Sequence, residues 1–334
     1  MSRRAKILKR LKERREKTVE VSEKETPVDR KDSEKIKNPL LRIYHKQYKK
    51  LLLIPLIMLI AAIVVICAQV AITGDFINKA VSLKGGTTIT IPTEQLININ
   101  QLENILSQEF NGLEVSIRKL ARAGKQTGII IDTDVKSTEE LQDFLESVQS
   151  NIGELGDYST EVMGSSLGAS FFKETIIALI LAFIFMGLVV FLYFRTIVPS
   201  LAVILAAFSD IFVTLAIINL LGIKLSTAGI AAFLMLIGYS VDTDILLTTR
   251  MLKRKEGSLN ERIMQAMKTG LTMTITTLTV VTLALIFSQS NTIQQIMLIL
   301  FIGLFVDIIN TWIQNVGILR WYLEKYGKNQ ENIY

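Results

Sequence analysis

Six stretches of this 334-residue chain are apolar enough, and long enough, to cross a lipid bilayer, and that constrains every other reading of it. They cover about 50–71, 172–194, 197–221, 225–249, 268–288 and 293–318, each near the roughly 20 residues a helix needs to span the hydrocarbon. Backbone polar groups have no water to bond there, so each segment must satisfy its own as a helix. Half of the residues are hydrophobic and a fifth are charged. Some fifty hydrophilic residues precede the first stretch, far more than a signal-peptide n-region, so that stretch reads as a retained anchor.

Charge gives the orientation. Residues 1–50 hold 18 of the 37 Lys and Arg against 8 acids, and the other 284 residues carry 19 basic and 23 acidic groups. Basic residues gather on cytoplasmic loops. With the amino terminus inside, Arg195, the cluster 250–255 and the tail with Arg320, Lys325 and Lys328 also fall inside. The expected organisation is a basic cytoplasmic tail (1–49), a first span (50–71), an external domain (72–168), five further spans (169–320) and a short cytoplasmic tail (321–334) in a cell membrane. A basic arm of this kind suits anionic lipid headgroups, and no specific nucleic-acid partner is expected. Cys67 is the only cysteine and His45 the only histidine. No internal disulfide, thiol metal cluster or intramembrane histidine shuttle can be built from them, and no metal or cofactor is expected.

Between spans one and two the pattern changes to that of a small α+β domain. "Thr87-Thr-Ile-Thr-Ile-Pro92" alternates like a strand, and 113–120, 128–132 and 158–163 give three more. The turn-like Ala123-Gly124-Lys125 joins the middle pair. Leu102, Ile105, Leu106 and Phe110 share one helical face, as do Leu141, Phe144, Leu145 and Val148, after the capping-box pattern Ser137-Thr-Glu-Glu. The order β-α-β-β-α-β predicts a ferredoxin-like fold. Its charges are scattered, which points to binding or mechanics rather than bond-making chemistry.

Ionisable residues inside the apolar stretches form a short series: Asp210, Asp242, Asp244 and Asp307, with Lys268 at the start of the fifth. A carboxylate at mid-bilayer costs about 2.5–3.5 kcal/mol on insertion scales, so such residues mark functional sites by default. Asp242 and Asp244 lie about 200° apart around a helix and cannot form a paired-carboxylate dyad. Asp242 is assigned the inward face, with Asp244 facing a second interface or snorkelling toward the cytoplasmic side. The threonine-rich run 269–282 of the fifth span is either a packing seam or, beside the carboxylates, part of a wet path for protons or cations.

These residues together resemble the SecF branch, archaeal in type, of the SecD/SecF protein-export family within the RND superfamily. The resemblance rests on Ser82-Leu-Lys-Gly85-Gly86, Tyr193-Phe194-Arg195, Phe208-Ser209-Asp210, Gly238-Tyr239-Ser240 and Lys268-Thr269 followed by Thr276-Thr277-Leu278. It covers about residues 50–320. Bacterial members commonly carry an acid at the position of Thr243, whereas here acids flank it. The resemblance implies an RND-like polytopic helical membrane protein with an external ferredoxin-like domain. It implies a SecD-like partner subunit, the Sec protein-conducting channel, a preprotein substrate and use of the proton-motive force, without enzyme activity of the bond-making kind. Two alternatives stay open: a half-size RND-type transporter of lipids or hydrophobic compounds, and an uncoupled scaffold or insertion factor in which the aspartates only fix helix packing.

Overall fold

The computed structural model describes residues 47–330, except Glu94, Ala123, Gly124, Lys136, Glu154, Lys255, Glu256 and Gln289. The basic arm with His45, the Ala123-Gly124 turn and Lys255 therefore lie outside the described residues. Among the described residues, six helices are long and apolar enough to cross a membrane. In chain order the elements are α1 (Leu53–Thr73), β1 (Gly86–Pro92), α2 (Ile99–Glu109), β2 (Val115–Arg122), β3 (Lys125–Thr133), α3 (Thr138–Ile152) and β4 (Ser159–Met163). Then follow α4 (Ser165–Phe194), α5 (Ile197–Leu220), α6 (Thr227–Leu252), α7 (Leu259–Phe287), α8 (Asn291–Ile309), a π-helical turn (Asn310–Asn315) and α9 (Val316–Gln330).

The four strands form one antiparallel sheet in the order β2-β3-β1-β4, which is the ferredoxin-like arrangement expected from the β-α-β-β-α-β order. Side-chain alternation divides its two faces. Ile89 and Ile91 pair with Ile131 and Ile129, and Ile117 pairs with Ile131. These isoleucines join Leu102 and Leu106 of α2 and Phe144 and Val148 of α3 in one core, each buried aliphatic contributing roughly 1.5–3 kcal/mol. Helix α3 starts where Ser137 Oγ accepts from the Glu140 N–H at 3.1 Å, the N-cap that its sequence announces.

Among the long helices, α5, α6 and the last span are about half buried within the chain, whereas α1, α4 and α7 turn most of their apolar surface outward. Small side chains on α5, including Ala202, Ala206 and Ala207, are fully packed and let the central backbones approach closely. Several helices extend beyond their apolar cores. Helix α7 begins at Leu259, nine residues before the expected span, because Ser258 and Glu261 form a reciprocal capping box.

The sheet domain is fastened to the helices at two places. Gly85 has φ +90°, and a Cβ there would lie 2.3 Å from Ser165 Cα at the start of α4. Only glycine fits such a backbone approach. At the second place, residues 78–80 run beside the α5–α6 connection: Ala80 N–H donates to Leu225 O at 2.8 Å and Leu225 N–H to Asn78 O at 2.6 Å. Beside this bridge Lys224 Nζ approaches buried Asp132 at 3.7 Å, and Arg118 holds the same carboxylate at 2.8 Å. Burial lowers the pKa of Lys224 from the ordinary lysine value, and the Asp132 charge opposes that shift.

Candidate functional site

The centre of the bundle is polar. Asp210 of α5, Asp244 of α6 and Asp307 of α8 are 1%, 0% and 1% exposed. Asp210 accepts from Ser240 Oγ of α6 at 2.5 Å and from Asn310 Nδ2 at 2.7 Å. Asp244 accepts from Asn315 Nδ2 at 2.7 Å. Thr311 Oγ1 lies 3.0 Å from Asp244 Oδ1 and 3.0 Å from Asp307 Oδ1. Gln314 Nε2 adds a bond to Ser209 Oγ at 3.3 Å. One network thus joins three spans.

Four of these donors, Asn310, Thr311, Gln314 and Asn315, come from the π-helical turn, and all four are buried. The i→i+5 pattern widens one turn of helix, a local feature frequent at functional sites. Trp312 fixes the turn from the other side: a Cβ at Gly270 of α7 would lie 2.4 Å from the Trp312 ring, so only glycine accommodates the indole there. Asp244 Oδ2 is buried and makes no hydrogen bond within the described residues.

The hydrogen inventory is informative. A hydroxyl has one hydrogen to donate, so Thr311 can serve Asp244 or Asp307 but not both. Its second 3.0 Å contact becomes a hydrogen bond only when that carboxyl itself carries a proton. The arrangement can therefore hold a proton between two spans and pass it through one side chain. Among the described residues, no group of three or more His, Cys, Asp or Glu is placed to hold a metal ion.

Several expectations shift. The inward acid of α6 is Asp244, and Asp242 is exposed, because the inward face is set by Ser240, Val241, Asp244 and Thr248, which pack against neighbouring helices. Gly238 and Tyr239 share the outward side with Asp242, while Ser240 points inward. Lys268 is exposed on α7 and makes no ion pair to the three carboxylates. Gly85 and Gly86 lie far along the chain from this centre: Gly85 serves the joint between sheet and helices, and Gly86 packs against the Thr133 carbonyl of β3 within the sheet. The threonines of α7 do not join the network. Thr269, Thr272, Thr274, Thr277, Thr279 and Thr282 each donate to the carbonyl four residues back, and Thr276 to the one three back. Sequence reasoning passed over Asn310, Thr311, Gln314 and Asn315. Their i, i+1, i+4, i+5 spacing in an otherwise apolar span was the available signal.

A polytopic membrane protein with a small sheet domain after its first span has known counterparts. Residues 143–325 match the family model for protein export membrane protein SecD/SecF, C-terminal. The chain is 39% identical over 291 residues to the protein-export membrane protein SecF of Pyrococcus furiosus, covering 87% of this chain and 96% of that one. The SecF of Methanocaldococcus jannaschii is 41% identical over 290 residues, covering 84% of this chain and 98% of that one. In fold it is similar to the crystal structure of SecDF, a translocon-associated membrane protein from Thermus thermophilus, with TM-score 0.69 and 20% identity. That match covers 85% of this chain and only 38% of the other, so the chain corresponds to a minor part of that molecule. The chain belongs to the SecD/SecF family of protein-export membrane proteins, on its SecF side.

Proposed function

We propose that the chain is an accessory subunit of a Sec-type translocase that works with a SecD-like partner and draws on the proton-motive force to help preproteins cross the membrane. The observation that carries this reading is the Asp210–Asp244–Asp307 network, in which a single Thr311 hydroxyl contacts two buried carboxyls. Adding or removing one proton there changes which hydrogen bonds can form between α6 and the last span. Helices α5 and α6 also carry, at their connecting loop, the Lys224 and Leu225 contacts to the sheet domain. A shift at the carboxylates therefore reaches that domain through a continuous path, without bond-making catalysis. The skew of basic residues supports a reading with both termini in the cytoplasm and the sheet domain outside. The exposed side of α6, with Tyr239 and Asp242, is where the SecD-like half would cover a carboxylate that lipid cannot accommodate.

The test is preprotein translocation in vesicles holding this chain, its partner and the protein-conducting channel, with and without an imposed proton gradient. Asp244→Asn should assemble normally and lose the gradient's stimulation. If Asp244→Asn keeps full stimulation, the carboxylates serve packing and the uncoupled scaffold reading replaces this one.

A further inference from the structure

Two buried hydroxyls stand one helical turn to either side of the carboxylate centre with no protein group to bond. Thr214 follows Asp210 by four residues on α5, and Thr248 follows Asp244 by four on α6, so each shares its carboxylate's face. Both residues are 0% exposed, and neither Oγ1 has a hydrogen-bond partner within the described residues. The threonines of α7 turn back to their own helix carbonyls; these two do not. Asn310 and Asn315 donate their Nδ2 groups to Asp210 and Asp244, yet the side-chain oxygens of both amides are unpartnered, as is Asp244 Oδ2. Helices α5 and α6 run in opposite directions. In the proposed orientation Thr214 therefore lies on the external side of the centre and Thr248 on the cytoplasmic side. We propose that Thr214 and Thr248, each through one bound water, are the entry and the exit of the proton path. The inference rests on the proton-coupled reading above and gives that path its two ends.

Four residues of helix rise about 6 Å, close to what one water spans with two bonds of about 2.8 Å. A buried water makes about three hydrogen bonds, and each side offers three groups. The inner water donates to Asp244 Oδ2 and Asn315 Oδ1 and accepts from Thr248. The outer water sits among Thr214, Asn310 Oδ1 and Asp210. Valine has the shape of threonine, so packing alone gives no reason to bury a hydroxyl that bonds nothing. The transfer balances. On the inner side the protonated Asp244 carboxyl gives its proton to the water, and the water passes one of its own to Thr248 Oγ1. That oxygen releases its original hydrogen toward the cytoplasm. The carboxylate ends charged, while the water and the hydroxyl end neutral. Entry follows the same steps from outside: Thr214 takes a proton, and its own hydrogen reaches Asp210 through the outer water. Thr248 is one turn before the last residue of α6, Leu252, and Thr214 is less than two turns before the last of α5, Leu220, so each hydroxyl lies within reach of its own side of the membrane.

The experiment compares Thr214→Val, Thr248→Val, Thr214→Ser and Thr248→Ser with wild type, as full-length chain with partner and channel in oriented vesicles. Two quantities are read: the gradient's stimulation of preprotein translocation, and the response to a pH jump on one side of the infrared carboxyl band that Asp244→Asn removes. Positioned proton-transfer groups contribute about 10²–10⁴-fold, so each valine variant should lose at least about tenfold of the stimulation and each serine variant no more than about twofold. Thr248→Val should leave the band responsive to external pH alone, and Thr214→Val to cytoplasmic pH alone. A packing defect would dull both sides alike. Where valine impairs assembly, cysteine, of similar size and with a weakly bonding thiol, takes its place with the same expectations. A two-sided response in both valine variants overturns the relay, and so does a serine variant as impaired as its valine counterpart. Wild type without stimulation, but with the one-sided losses in the variants, overturns coupling to translocation and leaves the relay standing. Stimulated wild type with two-sided variants overturns the relay alone.

Discussion

Helix α7 and the last span both carry many polar side chains through apolar surroundings, yet they dispose of them in opposite ways. Seven threonines of α7 turn back to their own helix carbonyls. The polar residues of the π-helical turn reach across to α5 and α6 instead. A hydroxyl bonded to its own backbone is satisfied wherever the helix goes and carries no information about its neighbours. A carboxylate bonded to a different helix ties its protonation to the position of that helix. The count of polar residues in a span therefore says little about function, and the direction of their bonds says much.

That contrast is open to test, beginning where the largest effect is expected. Asp244→Leu removes the acceptor for Asn315 and leaves that buried amide unpaired, a loss of about 1–3 kcal/mol, while Thr311 keeps Asp307 as its acceptor. Unfolding in mixed detergent micelles should show destabilisation of about that size. Thr311→Val should follow, with a loss between roughly 0.6 and 1.7 kcal/mol, the average and the maximum measured for hydrogen bonds between membrane helices. It should also abolish gradient-stimulated translocation, because the contact linking Asp244 and Asp307 is gone. Thr274→Val, at a buried position whose bond is local to α7, should change stability by no more than about 0.5 kcal/mol. If Thr274→Val costs as much as Thr311→Val, bond direction is not what separates the two helices.

Much of the architecture was legible because it depends on periodicity. Apolar run length gave the six spans, and alternation around Thr87–Pro92 with helical spacing at Leu102 and Phe144 gave the sheet domain. The carboxylate centre was only half legible. Spacing showed that Asp242 and Asp244 point apart, but which of them faces inward depends on where α5 and α8 pack against α6, a tertiary fact with no local signature. The π-helical turn was invisible for a related reason. One widened turn leaves no mark on hydropathy, and the glycine that admits Trp312 lies some forty positions earlier, at Gly270. The glycine pair showed the reverse: Gly85 stands out in the sequence, yet its reason, the backbone of Ser165 against it, lies in another segment.

The smallest effect comes from a contact that crosses between elements but lies in the open. Lys84 Nζ donates to Glu114, and both side chains are more than half exposed. That hydrogen bond is the main reason the Glu114 carboxyl sits below its ordinary pKa of 4.5, with partial burial opposing it. A carboxylate with a depressed folded pKa adds stability above its unfolded pKa and loses it as pH falls through the folded value. Glu114→Gln should therefore lower stability at pH 7 by only about 0.2–0.5 kcal/mol, as exposed ion pairs do, and the difference from wild type should fade as the pH falls below 4.5 and through the lower folded value. Added salt should shrink it as well. A loss at pH 7 as large as that of Thr311→Val would show that crossing between elements suffices without burial. A loss of a few tenths would show that burial is what gives the crossing contacts of the carboxylate centre their weight.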